Sequence, residues 1–261
     1  MKLICLSFCV LAAAIVATLL PVLCMAQAPD CSKLPDHTKL KDALSAVVKE
    51  GQKSNGGLGN QEWGVVVNRD GIVCSVVFSG PTRGSEWPGS RLIAASKANT
   101  ANAFSLPNFA LSTGNLFAGA QPGASLYGIA SSPPNPEAAF AGPPTKFGDV
   151  DDPMVGKAIG GVIVFGGGLP LYASKGNLVG AVGVSGDTAC TDHVIAWKLR
   201  HKLELDAVPM GVAPGQNDNL IFDIQDAKSE SGFGHPQCKG GFPSENIIKD
   251  LPKTYPPGPK H

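Results

Sequence analysis

Two pairs of short apolar runs, each pair joined by only a few turn-forming residues, constrain this chain more than any other feature. Trp63 to Val67 and Ile72 to Phe78 are rich in β-branched residues and are separated by Asn68-Arg69-Asp70-Gly71. Further on, Leu169 to Tyr172 passes through Lys175-Gly176-Asn177 into Leu178 to Val184. Asn, Asp and Gly accept the backbone conformations of tight turns, so each pair reads as a β-hairpin. Strands that follow one another directly pair antiparallel, and helices packed on the sheet cover its apolar face. Gly161 to Phe165 is a further short apolar run ahead of the second hairpin.

Three helices supply that cover. Between Asp36 and Glu50, Leu40, Ala43, Leu44, Val47 and Val48 recur at helical spacing with charge between them, and Gly51 follows as a stop. Ser90 caps a second helix through about Phe104, whose Ala94, Ala95, Ala98 and Ala101 form a smooth face suited to close packing. A third runs from Asp187 or Thr188 to about Leu203, with Ile195, Ala196, Leu199 and Leu203 on one side. The order helix, hairpin, helix, loop, hairpin, helix predicts an α+β fold with an antiparallel sheet.

The loop in that order is long. Residues 111–160 are rich in Gly, Pro, Ser and Asn, with Pro133-Pro134 and Pro143-Pro144 and no clear periodicity. A connection of that length is expected to be either disordered or a lid or binding loop. Beyond Asp206 the chain is again rich in Pro, Gly and Asn, with one apolar run at Leu220 to Ile224, and reads as a tail (206–261) that wraps the domain. The balance of 21 basic and 21 acidic side chains excludes the basic excess that draws a protein to nucleic acid or an anionic membrane.

Residues 1–28 carry one positive charge at Lys2, an apolar run from Leu3 to Leu23 broken by Pro21, and Met25-Ala26-Gln27-Ala28 with small residues at −3 and −1 of a cut after Ala28. This reads as a secretory signal peptide. It predicts Pro29 as the mature N-terminus and an exported protein, periplasmic or secreted, with no stable membrane insertion. Pro21 and the missing basic stop-transfer cluster argue against an anchor. Cleavage leaves 20 basic and 21 acidic side chains and four of the seven cysteines, Cys31, Cys74, Cys190 and Cys238. An even number in an oxidising compartment predicts two disulfides, and four cysteines admit three pairings.

The stretch Trp63 to Phe78, the helix Ser90 to Phe104 with its Lys-Ala-x-Thr-Ala segment, and Gly167 to Gly186 followed by Asp192-His193-Val194-Ile195-Ala196 together resemble the GlcG/HbpS-like haem-binding family, which includes the C-terminal domain of the PduO proteins. The resemblance covers roughly residues 38–205. It implies a profilin-like fold, self-association into a homo-oligomer, and haem as the cofactor in at least some members. The 111–160 insertion, the cysteines and the tail depart from the short family pattern.

Familiar catalytic signatures are absent: there is no His-Glu-x-x-His, no Gly-x-Ser-x-Gly and no phosphate-binding Gly-x-x-x-x-Gly-Lys-Ser/Thr. Phe165-Gly166-Gly167-Gly168 precedes a strand and reads as a bulge or tight bend rather than a phosphate cradle. At Val184-Ser185-Gly186-Asp187 a strand ends and a helix begins, so backbone N–H groups near Ser185 and Gly186 can hold a haem propionate or a small organic acid; the bland alternative is that Asp187 or Thr188 simply caps the helix. Cys190-Thr191-Asp192-His193 and His235-Pro236-Gln237-Cys238 are mirror-image pairs. They are compatible with a Cys2His2 zinc site, with a Cys190–Cys238 disulfide, or with other pairings, and the exported context favours the disulfide. Such a bridge brings His235 toward His193, and neutral imidazole ligates haem iron, which makes His193 the candidate metal ligand with His235 beside it; each histidine also fits a plain structural role. Lys97 lies in the small-residue helix, in the region that borders the ligand pocket in the family; an exposed polar face is the alternative. Trp63 and Trp87 read as core or loop cover. Three functions remain open: an exported protein that binds haem for sequestration or sensing, a small-molecule or haem-degrading enzyme, and a non-catalytic assembly module.

Overall fold

The computed structural model describes residues 30–258; the signal-peptide segment, its cleavage point and His261 lie outside the described residues. Among the described residues six α-helices and six strands follow one another along the chain. α1 (His37–Val48), the single turn α2 (Gln52–Asn55), β1 (Trp63–Asn68), β2 (Val73–Phe78) and α3 (Ser90–Phe104) come first. The single turn α4 (Pro136–Ala139) lies in the insertion, and β3 (Gly168–Ser174), β4 (Asn177–Ser185) and α5 (Ala189–Lys202) follow. The short β5 (Ile224–Gln225) and β6 (Lys228–Ser229), then α6 (Glu245–Thr254), belong to the tail.

The four long strands form one antiparallel sheet in the order β2-β1-β4-β3, so the two hairpins join along β1 and β4, with Trp63 opposite Ser185 and Val66 opposite Val182. Alternation of side chains across the pleat splits the core in two. Val65, Val67, Phe78 and Ala181 face α3, whereas Val66, Val77, Val182 and Val184 face α1 and α5. The alanine face of the second helix is used as its composition suggests. Ala94, Ala95, Ala98 and Ala101 are fully buried, and a Cβ on Gly183 of β4 would come 1.9 Å from the Ala94 carbonyl oxygen. The fold is α+β, an antiparallel sheet flanked by helices.

The turns explain the hairpins. Asn68 Oδ1 accepts the N–H groups of Asp70 and Ile72, each at 3.0 Å, and Gly71 takes the positive φ of 75° that closes the loop. Between β3 and β4 only Lys175 and Gly176 intervene, with Gly176 at φ 78°. Gly161 to Phe165 forms no strand; it runs between α3 and the insertion, where Thr100 Oγ1 accepts the Ile163 N–H at 3.0 Å.

Insertion and tail cover the two sheet edges. Along β2, Val73 donates to Lys157 O and accepts from Gly156 N, each at 2.9 Å. Along β3, Tyr172 donates to Leu205 O at 2.8 Å and accepts from Ala207 N. Sheet edges left open invite foreign strands, and here the chain itself pairs with each edge at one point, Val73 on β2 and Tyr172 on β3. The insertion is ordered rather than loose. Arg91 of α3 forms a buried bidentate pair with Asp152, donates to Ala139 O at 3.0 Å and lies 3.7 Å from the Phe147 ring centroid. In the tail, α6 lays Ile248 and Leu251 on the α5 layer, and Trp197 Nε1 donates to Tyr255 O at 3.0 Å. Cys31 is joined to Cys74 and Cys190 to Cys238, with Cα separations of 5.8 and 5.9 Å. No helix among the described residues is long and apolar enough to cross a membrane.

Candidate functional site

The start of α5 concentrates charge. Thr188 caps the helix by accepting the Thr191 N–H, and the glycine-bearing end of β4 delivers the chain into it. Asp192, one turn in, reaches back: its Oδ1 accepts the N–H groups of Gly186 at 3.2 Å and Asp187 at 3.0 Å. Its Oδ2 meets Lys97 Nζ at 2.5 Å, and Lys97 also donates to Val184 O at 3.0 Å. Asp187 in turn accepts the N–H groups of Leu58 and Asn60 from the loop ahead of β1. Near the Ser185–Gly186 corner expected to hold a propionate, the N–H groups of Gly186 and Asp187 are occupied by the protein's own carboxylate, and Thr188 caps the helix. Lys97 is fully buried within this cluster and presents no exposed face.

Glu62, also fully buried, stands against Asp192 and Asp187. Burial first, and then those two negative charges, push its pKa well above the usual carboxylate range, with Lys97 opposing. Burial likewise raises Asp192 to about 6 against the pull of Lys97. One cation thus faces three acidic groups, and the shortfall in positive charge favours the protonated form of Glu62. Sequence reading passed over Glu62; the available signal was an acid directly ahead of the apolar strand Trp63–Asn68, where burial follows if the strand does.

His193 and His235 lie close to this cluster, across Gly166 and Gly167. His193 is fully buried, and its polar neighbour is the Asn219 amide, which also bonds Ile248 O and the Leu220 N–H. Burial holds its pKa well below the ordinary histidine value, with the nearby Arg200 and His235 acting in the same direction. His235 has its Nδ1 2.7 Å from Pro236 O and accepts the Gly166 N–H on Nε2 at 3.2 Å. This pattern fixes the neutral tautomer with the proton on Nδ1. Burial lowers His235 to about 4. A ring nitrogen of His235 and the sulfurs of Cys190 and Cys238 lie within 4.8 Å of one another.

Beside His235 the surface opens. A cavity of about 320 Å³ is lined by His235, Pro236, Gln237 and Lys239 among others. It shares Ile224 and Pro236 with a larger cleft of about 770 Å³ between residues 117–125 of the insertion and the β5–β6 hairpin of the tail. Apolar side chains such as Phe117, Ala124 and Ile224 make the walls of that cleft, and Lys228 brings a positive charge to it. The Phe117 ring also packs on His235, with centroids 5.7 Å apart. Of the residues singled out from sequence, Ser185, Gly186 and Lys97 gather at the acidic cluster, and His193 and His235 gather at the disulfide. Trp63 is core, and Trp87 is half exposed. The cleft itself was hidden because both of its walls come from Gly- and Pro-rich segments without periodicity.

No curated protein matches this sequence. Among solved structures, three show similarity at low identity as follows. Protein ORFY of Klebsiella pneumoniae is 22% identical, with 63% of this chain covering 87% of that one at a TM-score of 0.42. A PduOC:haem complex is 24% identical over 63% and 89%, with a TM-score of 0.43. HbpS is 22% identical over 63% and 86%, with a TM-score of 0.36. The family model described as haem-degrading protein, HbpS-like, matches residues 37–199, the span from α1 through most of α5 that contains the whole four-stranded sheet, and the chain belongs to that family.

Proposed function

We propose that this is an exported haem-binding protein that sequesters or senses haem, and that the haem sits in the cleft between residues 117–125 and the β5–β6 hairpin. The observation that carries the placement is the cleft itself. Its volume of about 770 Å³ falls within the roughly 300–1,000 Å³ of small-molecule sites, its walls are apolar, and a neutral imidazole lies directly behind Phe117. The lining fits the group: Phe117 and Ile224 would flank the porphyrin and Lys228 would face a propionate, and His235, buried behind the Phe117 ring, would reach the iron by giving up the Gly166 N–H on its Nε2. His193 is fully buried and lines no part of the cleft. Family membership supports haem as the ligand, and two disulfides support export. Self-association into a homo-oligomer belongs to the same reading.

Haemin titration tests it. A Soret band that saturates at one haem per chain, weakened by Ala124→Trp in the cleft and shifted by His235→Ala, is expected; Lys228→Glu should weaken binding by about tenfold, on the order of 1.4 kcal/mol. No Soret band overturns haem binding. Unchanged affinity and spectrum in all three variants overturns the placement, and a spectral change in His193→Ala alone moves the iron to His193. The family's description favours one competing reading, haem breakdown. Decay of the bound Soret band with release of iron, under a reductant or peroxide, would assign it.

A further inference from the structure

Cys190, Cys238 and His235 make up a second ligand set that the haem reading does not use as a set. We propose that reduction of the Cys190–Cys238 disulfide converts this cluster into a binding site for a thiophilic divalent metal such as Zn²⁺, with the two thiolates and His235 as ligands and His193 as the fourth donor.

Three features of the site support this. The donor atoms of the first three residues already lie within 4.8 Å of one another, so a metal needs small adjustments of side chains and no refolding. The His235 ring is prepared as a ligand, because its Nδ1–H donates to Pro236 O and leaves the lone pair on Nε2, held only by the long Gly166 N–H contact of 3.2 Å. His193 follows Cys190 by three residues on α5, hence on the same helix face; it lies outside the 4.8 Å set and would turn toward the metal from its buried place beside the Asn219 amide. Two thiolates and two neutral imidazoles are the donor set of a tetrahedral zinc site.

The site is also built to be reduced. Cys238 Sγ accepts the Cys190 N–H at 3.1 Å in the first turn of α5, where the helix N-terminus stabilises a thiolate. Cys238 is the more exposed partner, and its sequence neighbours Gln237 and Lys239 line the 320 Å³ cavity. A small thiol reductant attacks Cys238 and breaks the S–S bond, which releases the Cys190 thiolate; a second thiol resolves the mixed disulfide, leaving two protein thiols and an oxidised reductant disulfide. Binding of M²⁺ then displaces the two thiol protons.

The test uses haem-free mature protein with Co²⁺ and Zn²⁺ as probes, compared before and after a thiol-free reductant. The expected result is one metal per chain in the reduced protein only, with thiolate-to-cobalt charge-transfer absorption and a native circular dichroism spectrum. Cys238→Ser and His235→Ala should each lower affinity by more than the ~10–100-fold that loss of an outer-shell partner costs. The double variant Cys31→Ser/Cys74→Ser should keep the site. Absence of the thiolate band in reduced wild-type protein, binding of equal strength in the oxidised form, or loss of fold on reduction that metal does not restore overturns the proposal. None of these outcomes depends on whether the cleft takes haem.

Discussion

Lys97 on α3 and Asp192 on α5 meet at 2.5 Å past the end of β4, so one buried ion pair ties together the helical layers on the two faces of the sheet. The pair is stable there because each partner has further bonds: Lys97 to Val184 O, and Asp192 to the N–H groups of Gly186 and Asp187. Removing one partner leaves the other charge buried without compensation. Lys97→Met should therefore cost about 3–5 kcal/mol, read as a lowered denaturant midpoint, and Lys97→Met combined with Asp192→Asn should recover part of it. A single variant as stable as wild type would show that the pair is dispensable.

Glu62 predicts an unusual pH dependence. A carboxyl whose pKa is raised on folding favours the native state most below its unfolded value, about 4.5, and that contribution is lost as pH rises through the folded value; Asp192 acts the same way between about 4 and about 6. The cluster therefore costs stability at neutral and alkaline pH. Glu62→Gln, which keeps the shape of the protonated acid, should match wild type near pH 4 and exceed it at pH 8. Denaturant unfolding across that range checks this, and parallel profiles for the two proteins would refute it.

Arg91 anchors the insertion through Asp152, Ala139 O and the Phe147 ring. Arg91→Met should loosen residues 136–157 from α3 and from the β2 edge. Limited proteolysis should then cut within that segment at least several times faster while the sheet survives, and the buried Asp152 carboxylate left behind should cost about 3–5 kcal/mol. Cleavage at the wild-type rate would place the anchor elsewhere.

The difference between what sequence reveals and what it hides follows the range of the interactions. Both hairpins and the helix that starts after Thr188 rest on local signals: β-branched runs, Asn68 and Gly71 in a turn, a threonine cap. The order of the insertion rests on Arg91 and Asp152, 61 residues apart, and a Gly- and Pro-rich segment gives no sign of a partner so distant. α6 is missed because Pro252 falls in its last turn and only Ile248 and Leu251 are buried, although Trp197 and α5 give them a surface to bury against. At the site, the free N–H groups near Gly186 were legible as an anion cradle. That Asp192 folds back to fill it follows only from the tertiary pull of Lys97, which a one-dimensional pattern does not contain.

The alanine face of α3 is the opposite case, a sequence pattern with a direct tertiary consequence. Because Ala94 and Ala98 carry no more than a methyl group, α3 settles until its backbone touches Gly183 of β4. A Cβ at that glycine would lie 1.9 Å from Ala94 O and 2.6 Å from Ala98 N. Both neighbours are backbone atoms of a helix, which no rotamer change can move. Gly183→Ala should therefore push α3 off the sheet and destabilise by at least the ~1–3 kcal/mol of an overpacked core, and it should carry Lys97 away from Asp192 as it does so. Gly89→Ala, at the N-cap of the same helix where a Cβ meets nothing within 4 Å, is the control and should be near neutral. Equal unfolding midpoints for the two variants would mean that the helix and sheet are not in the close contact that places the Lys97–Asp192 pair.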